Sequence, residues 1–211
     1  MQTAIAFPQS LTEKYRPHVL AEFAGLDKQK RILSKFAARP YPSAWLFVGP
    51  PGVGKTIMAL AMAEEIKAEL HHIPSRECDL AAVQDVCRRC WYVPLGGGFH
   101  VVLIDEADRM TEPAQLAFLS KLDSTGFPPN TIFVFTANGT DNLEPRFLSR
   151  CRVIEFGTYG LAQPATELLR TIWNTEVGDS ESAPDFSRIV KQSANNIREA
   201  LMNLELKIME A

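Results

Sequence analysis

Residues 49–56 read Gly-Pro-Pro-Gly-Val-Gly-Lys-Thr: a glycine, four residues, then Gly-Lys-Thr. This spacing builds a loop whose backbone N–H groups turn inward around a polyphosphate. Lys55 can reach the β and γ phosphates and the Thr56 hydroxyl can ligate Mg2+. Further along, Val101 to Asp108 reads Val-Val-Leu-Ile-Asp-Glu-Ala-Asp. An apolar run ending in two carboxylates supplies the other half of a phosphoryl-transfer site. Asp105 would hold the metal, and Glu106 would orient and deprotonate the attacking water. Asn138 follows a third apolar run. Its carboxamide is suited to bind the γ-phosphate or the water with one end and Glu106 or the backbone with the other, although Asn138-Gly139 is also a common turn pair.

Such a site needs a strand before the loop and a helix after it. Ala44–Val48 is a short apolar run of the buried-strand kind, and Thr56–Leu70, rich in Ala, Met, Leu, Glu and Lys, reads as a helix. Leu70–Ile73, Val101–Ile104, Thr131–Thr136 and Val153–Phe156 read as further strands. Asp27 is placed to cap a helix from Lys28 to Ala38, which Pro40 and Pro42 end. Leu80–Cys90 has helical spacing, as does Pro113–Leu122 with Leu116, Leu119 and Leu122 on one face, and Pro145–Arg150 reads as a short helix. The alternation implies an α/β fold, a parallel sheet covered by helices on both faces, binding ligands at the C-terminal edge of its strands. After Phe156 the pattern changes. Pro164 starts a helix carrying Leu168, Leu169, Ile172 and Trp173. A polar loop over Gly178–Pro184 and helical segments over 185–193 and 196–210 follow. The expected division is an α/β nucleotide-binding core over 1–157 and a small all-helical domain over 158–211.

The 211 residues are 46% hydrophobic and 22% charged, with a formal net charge of −3. No apolar run approaches the roughly 20 residues that span a bilayer. Met1–Ser10 lacks a basic cluster ahead of an apolar stretch, so no signal peptide is expected and a cytoplasmic location is. The charge balance advertises no global attraction to nucleic acid. Arg88, Arg89, Arg109 and Lys121 are candidate local contacts or ordinary solvated charges. Cys78, Cys87 and Cys90 have the spacing C-x8-C-x2-C, but a structural zinc takes four ligands. Val93 stands where the next cysteine would, and His71, His72 or His100 would have to complete the set. The favoured reading is three reduced, partly buried thiols.

Together these segments resemble AAA+ ATPases and, within them, clamp-loader subunits of the replication factor C or bacterial clamp-loader type. Glu13-Lys14-Tyr15-Arg16-Pro17, with Gly25 beyond it, is similar to the lead-in box of replication factor C subunits. The 49–56 loop and Asp105-Glu106-Ala107-Asp108 are similar to the AAA+ pair of nucleotide motifs. Phe147-Leu148-Ser149-Arg150-Cys151 ends in the Ser-Arg-Cys triplet typical of clamp loaders, and Asn196-Ile197-Arg198-Glu199-Ala200-Leu201 resembles the second-sensor helix of the lid.

The resemblance implies ATP and Mg2+ as ligands. Tyr15, Arg16 and Pro17 would line the adenine pocket. The loop Gly49, Pro50, Pro51, Gly52, Val53, Gly54, Lys55 and Thr56, with Ile57, would hold the phosphates. Arg198 would reach them from the lid. Thr56 and Asp105 would be the metal ligands, and Lys55, Glu106, Asn138 and Arg150 the catalytic set. Arg150 would be an arginine finger acting in trans on ATP held by a neighbouring copy or related AAA+ subunit, which implies an oligomer. A sliding clamp and primer-template DNA are the further implied partners.

Two departures stand out. The helix after Asp108 reads Leu119-Ser120-Lys121 where replication factor C subunits carry paired arginines facing DNA. Ala211 falls just after the lid, where clamp loaders continue into a helical collar. The expectation is therefore an ATP-hydrolysing motor subunit of clamp-loader type lacking the collar. The rivals are a nucleotide-gated adaptor with negligible turnover, and another AAA+ DNA motor of helicase-loader or branch-migration kind.

Overall fold

The apolar runs become neighbouring strands. The computed structural model, which describes residues 9–94, 96–123, 125–178 and 183–210, places them in one sheet: β1 (Ser43–Val48), β2 (Glu69–Pro74), β3 (His100–Asp105), β4 (Thr131–Ala137) and β5 (Arg152–Glu155). The order is β2-β3-β4-β1-β5 and every pairing is parallel. The helices are α1 (Leu11–Lys14), α2 (Asp27–Ala37), α3 (Lys55–Ile66), α4 (Leu80–Arg89), α5 (Glu112–Leu122), α6 (Pro145–Leu148), α7 (Ala162–Glu176), α8 (Phe186–Gln192) and α9 (Ile197–Glu210); parallel strands need long crossovers, and α3, α4, α5 and α6 lie in them.

The two-residue alternation of a strand sorts the core into two layers. Trp45, Phe47, Val101, Leu103, Ile132 and Val134 pack with Leu33 and Phe36 of α2 and Met58 and Met62 of α3. Leu46, Val102, Ile104, Phe133 and Phe135 pack with Val83 and Val86 of α4 and Phe118 and Leu122 of α5. Both faces are covered, which is why these strands read as unbroken apolar runs. A third cluster joins α7, α8 and α9 through Leu169, Ile172, Trp173, Phe186, Val190 and Leu204. Leu11 from α1 packs into it, with Tyr15 against its edge. The N-terminal lead-in thus ties onto the C-terminal helices.

Several expectations are corrected. The helix after the phosphate loop stops at Ile66, not Leu70. Lys67 takes φ +57°, and the N–H groups of Lys67 and Ala68 return to the carbonyls of Glu64 and Ala63 at 2.9 Å each, a Schellman end without glycine. Asp27 does not cap α2: Leu26 holds the N-cap position, and Asp27 is the first helical residue, paired with Lys30 at 3.0 Å. On α5, Leu116 is exposed and Phe118 is buried; the Phe118 ring meets Phe133 and Phe135 edge-on. The helix expected to start at Pro164 begins at Ala162, and the one expected to run to Arg150 ends at Leu148. Part of the polar loop expected over Gly178–Pro184, residues 179–182, lies outside the described residues. Among the described residues, no helix is long and apolar enough to cross a membrane.

Candidate functional site

β1, β4 and β3 end side by side, and each end carries a predicted residue. β1 runs into Gly49, whose N–H donates to the Ala137 carbonyl at the end of β4 at 3.2 Å. β3 delivers Asp105, and β4, lying between the other two, delivers Asn138. Gly52 at φ +78° and Gly54 at φ +94° take a backbone region that side chains disfavour. A Cβ on Gly52 would also lie 2.0 Å from the Asn196 side-chain oxygen. Another residue at either position would be strained, and at Gly52 it would also collide with Asn196.

Lys55, the first residue of α3, is buried. Its ammonium donates to the carbonyls of Gly49 at 2.6 Å and Pro50 at 2.9 Å and to Asn138 Oδ1 at 3.1 Å. Burial pushes its pKa down; the carboxylates of Asp108, Asp105 and Glu106 oppose the shift and Arg198 adds to it. Thr56 donates its hydroxyl to Asp105 Oδ1 at 2.7 Å, and Thr136 donates to the same oxygen. Two hard oxygen donors side by side beneath a polyphosphate cradle are a fitting ligand set for Mg2+. Glu106 adopts φ +53°. Its N–H donates to Thr136 Oγ1 at 3.0 Å and its carboxylate pairs with Arg109 at 3.2 Å.

Asn138 sits between Lys55 and Asp108. Its Oδ1 accepts from Lys55, and its backbone N–H donates to Asp108 at 3.2 Å, whereas the Glu106 carboxylate is held by Arg109.

Beside the loop, Tyr15, Arg16, Pro17, Phe23, Val53, Gly54, Ile57, Ile197 and Arg198 line a cavity of about 220 Å³. The structure thus brings the lead-in box, the phosphate loop and the C-terminal helices to one hollow. Tyr15 donates its hydroxyl to Glu176 of α7, and Asn196 Nδ2 donates to the Pro51 carbonyl at 3.3 Å. Arg150 is turned elsewhere: its Nε donates to Asp123 at 2.7 Å and its Nη1 to the Arg146 carbonyl at 2.7 Å. Of the candidate basic contacts, Arg88 and Arg89 are both paired with Asp85, and Arg109 with Glu106.

Sequence reasoning missed the roles of Thr136, Asp108, Phe23, Glu176 and Asn196. Asp108 and Asn196 lay inside segments already singled out. Nothing local marks Thr136 or Glu176, whose partners are distant in sequence. Cys78, Cys87 and Cys90 are all free and buried, and burial pushes their thiols up to about 11, 12 and 11 respectively. The ligand-distance cluster among the described residues joins Cys90 to two histidines, without Cys78 or Cys87.

Residues 45–159 match the family described as "ATPase family associated with various cellular activities (AAA)". The chain is 31% identical over 201 residues to replication factor C subunit 3 of Blastobotrys adeninivorans, covering 92% of this chain and 58% of that protein. It is 30% identical over 202 residues to the replication factor C small subunit of Natronomonas pharaonis, covering 92% and 60%. The chain thus spans about three-fifths of the curated relatives it matches. The Holliday junction branch migration motor RuvB of Thermotoga maritima superimposes with a TM-score of 0.73 at 20% identity, over 93% of this chain and 72% of that one, a likeness of fold.

Proposed function

This chain belongs to the AAA family of ATPases, and on that premise we propose that it is an ATP-hydrolysing motor subunit of clamp-loader type acting in DNA replication. The observation that carries the reading is the convergence of Lys55, Thr56, Asp105 and Asn138 within hydrogen-bond reach at the ends of three adjacent strands. The similarity to replication factor C subunits over nine-tenths of the chain supports the clamp-loader assignment. No comparable support favours the adaptor or the other DNA motors.

In this account the adenine lies in the cavity lined by Tyr15, Arg16, Pro17 and Ile57, and the phosphates follow the N–H groups of Gly52 to Thr56. Lys55 exchanges the carbonyls of Gly49 and Pro50 for β and γ oxygens. Thr56 and Asp105 would hold Mg2+, which neutralises charge on those oxygens. Glu106 swings from Arg109 to accept a proton from the attacking water. The water oxygen bonds to the γ-phosphorus, the bond to the β–γ bridging oxygen breaks, and ADP and phosphate result. Asn138, steadied by Lys55 and Asp108, orients the water or the γ-phosphate.

Residues 158–211 act as the lid over the 1–157 core, with Arg198 on its inner side. Arg150 leaves Asp123 to reach ATP on a neighbouring subunit, so the active form is an oligomer with copies of itself or related subunits. A sliding clamp and primer-template DNA are the partners this implies, in the cytoplasm.

The test is ATP turnover of the wild type, Glu106→Gln and Arg150→Ala, alone and mixed. Each variant alone is inactive and the mixture regains turnover, because an intact Glu106 and an intact Arg150 meet across an interface. A mixture as inactive as its parts contradicts shared sites. Turnover that fails to rise with primed DNA and a sliding clamp contradicts the replication reading.

A further inference from the structure

A second set of side chains converges at the other end of β3 from the nucleotide site. His100 opens that strand, about 17 Å along it from Asp105. The parallel register sets Glu69 of β2 beside His100. His71 lies two residues on, on the same face of β2, and that face alternates inward while its neighbours are exposed. The end of α4 closes the corner with Cys90, which is fully buried.

His71 Nε2 lies 3.0 Å from His100 Nδ1. One ligand atom each from His71, Cys90 and His100 fall within 4.8 Å of one another. The Glu69 carboxylate approaches to 3.7 Å from His71 Nε2 and 4.0 Å from His100 Nδ1. In a tetrahedral zinc site, with bonds of about 2.0–2.1 Å to nitrogen and 2.3 Å to sulfur, neighbouring ligand atoms stand about 3.3–3.6 Å apart. The two imidazole nitrogens must part by a few tenths of an ångström from 3.0 Å, and the thiol and the Glu69 carboxylate must close in from spacings of up to 4.8 Å and 4.0 Å.

A separate contact supports a metal. His100 Nε2 is 2.8 Å from the Tyr92 carbonyl. A carbonyl only accepts, so the ring proton sits on Nε2 and Nδ1 faces the cluster as a lone pair. A ring N–H given to a backbone carbonyl is how proteins fix the tautomer of a metal-ligating imidazole.

We propose that His71 Nε2, His100 Nδ1 and Cys90 Sγ bind a zinc ion, with a Glu69 oxygen in the fourth position, fastening the edge strand β2 to β3 and to the end of α4. Two imidazoles, a thiolate and a carboxylate suit zinc in softness and geometry. Binding releases the Cys90 thiol proton to solvent and moves the His71 ring proton from Nε2 to Nδ1, so one proton leaves per ion bound. The site is independent of the nucleotide and its Mg2+.

The test uses the full chain with Mg2+ in excess, titrated with Co2+ and then Zn2+. One equivalent of cobalt should give the visible bands of tetrahedral coordination and a near-ultraviolet thiolate-to-cobalt band, both removed by one equivalent of zinc. Cys90→Ser should abolish the thiolate band, His71→Ala should weaken zinc binding at least tenfold, and Cys78→Ser and Cys87→Ser should change neither. Should the substitutions unfold the chain, ring-nitrogen NMR of the wild type decides: the His71 Nε2 and His100 Nδ1 resonances shift with one equivalent of zinc. A silent cobalt titration, a thiolate band that survives Cys90→Ser, or ring nitrogens unmoved by zinc would overturn the proposal and leave a hydrogen-bonded histidine pair.

Discussion

Arg150 Nε donates to Asp123 Oδ1 at 2.7 Å, so the residue assigned to a neighbour's ATP is clasped within its own chain. The pair is half-buried near the surface, where ion pairs are worth about 0–1 kcal/mol, so releasing it costs little. Asp123→Ala should change stability by no more than about 1 kcal/mol and leave turnover undiminished. Arg150→Ala should lower turnover by about 10³ or more while ATP affinity changes little, since a finger acts on the transition state. Steady-state turnover and equilibrium binding on both variants separate the two effects. Equal losses in both would show that the clasp itself is needed for catalysis.

Lys55 makes three hydrogen bonds from a buried position, and burial disfavours its charge. A hydrogen bond to a charged group is worth about 1.5–3 kcal/mol. Lys55→Ala should therefore weaken ATP about 10- to 100-fold. It should not lower the melting temperature, because the folded state no longer holds a desolvated ammonium. A large drop in melting temperature would mean that the carbonyl contacts stabilise the loop more than burial costs.

The two faces of α5 offer a clean contrast. Phe118 is fully buried against Phe133 and Phe135, and Leu116 is exposed. Phe118→Ala should destabilise by about 3–5 kcal/mol, and Leu116→Ala by less than about 0.5 kcal/mol. Urea unfolding of both variants checks the pair.

Glu176 accepts hydrogen bonds from Lys14 and Tyr15, and these hold its carboxyl below the ordinary value of 4.5, the Lys14 bond contributing most. A carboxylate with a depressed pKa in the folded state stabilises the fold above its unfolded value and loses that contribution as pH falls through the folded one. Glu176→Gln should thus melt below the wild type at neutral pH, and the gap should close as pH drops below about 4.5. A gap that stays constant with pH would mean that Glu176 acts by packing alone.

Much of the site was legible because its chemistry is local in sequence. Gly49–Thr56 and Val101–Asp108 each name their residues by spacing, and fully buried parallel strands read as apolar runs whatever surrounds them. The misreadings occurred where neither residue type nor spacing announces the outcome. Lys67 ends α3 in a left-handed turn that its type does not announce, so helix propensity ran on to Leu70. On α5, three leucines at helical spacing suggested a face, but the ring of Phe118 fits between Phe133 and Phe135 and turns Leu116 outward. The C-x8-C-x2-C spacing drew attention to three thiols, while the pairing of β2 with β3 gathers Cys90 with two histidines that spacing alone could not connect.

All of the proposed chemistry requires that Gly49–Thr56 cradle a triphosphate whose metal Thr56 and Asp105 would hold. Calorimetric titration of the folded chain with a slowly hydrolysed ATP analogue, with and without Mg2+, tests it most directly. One site per chain is expected, tighter with Mg2+, with that Mg2+ dependence lost in Asp105→Asn and binding retained in Glu106→Gln. Absence of binding by a folded sample, or affinity indifferent to Mg2+ and to Asp105→Asn, would contradict it.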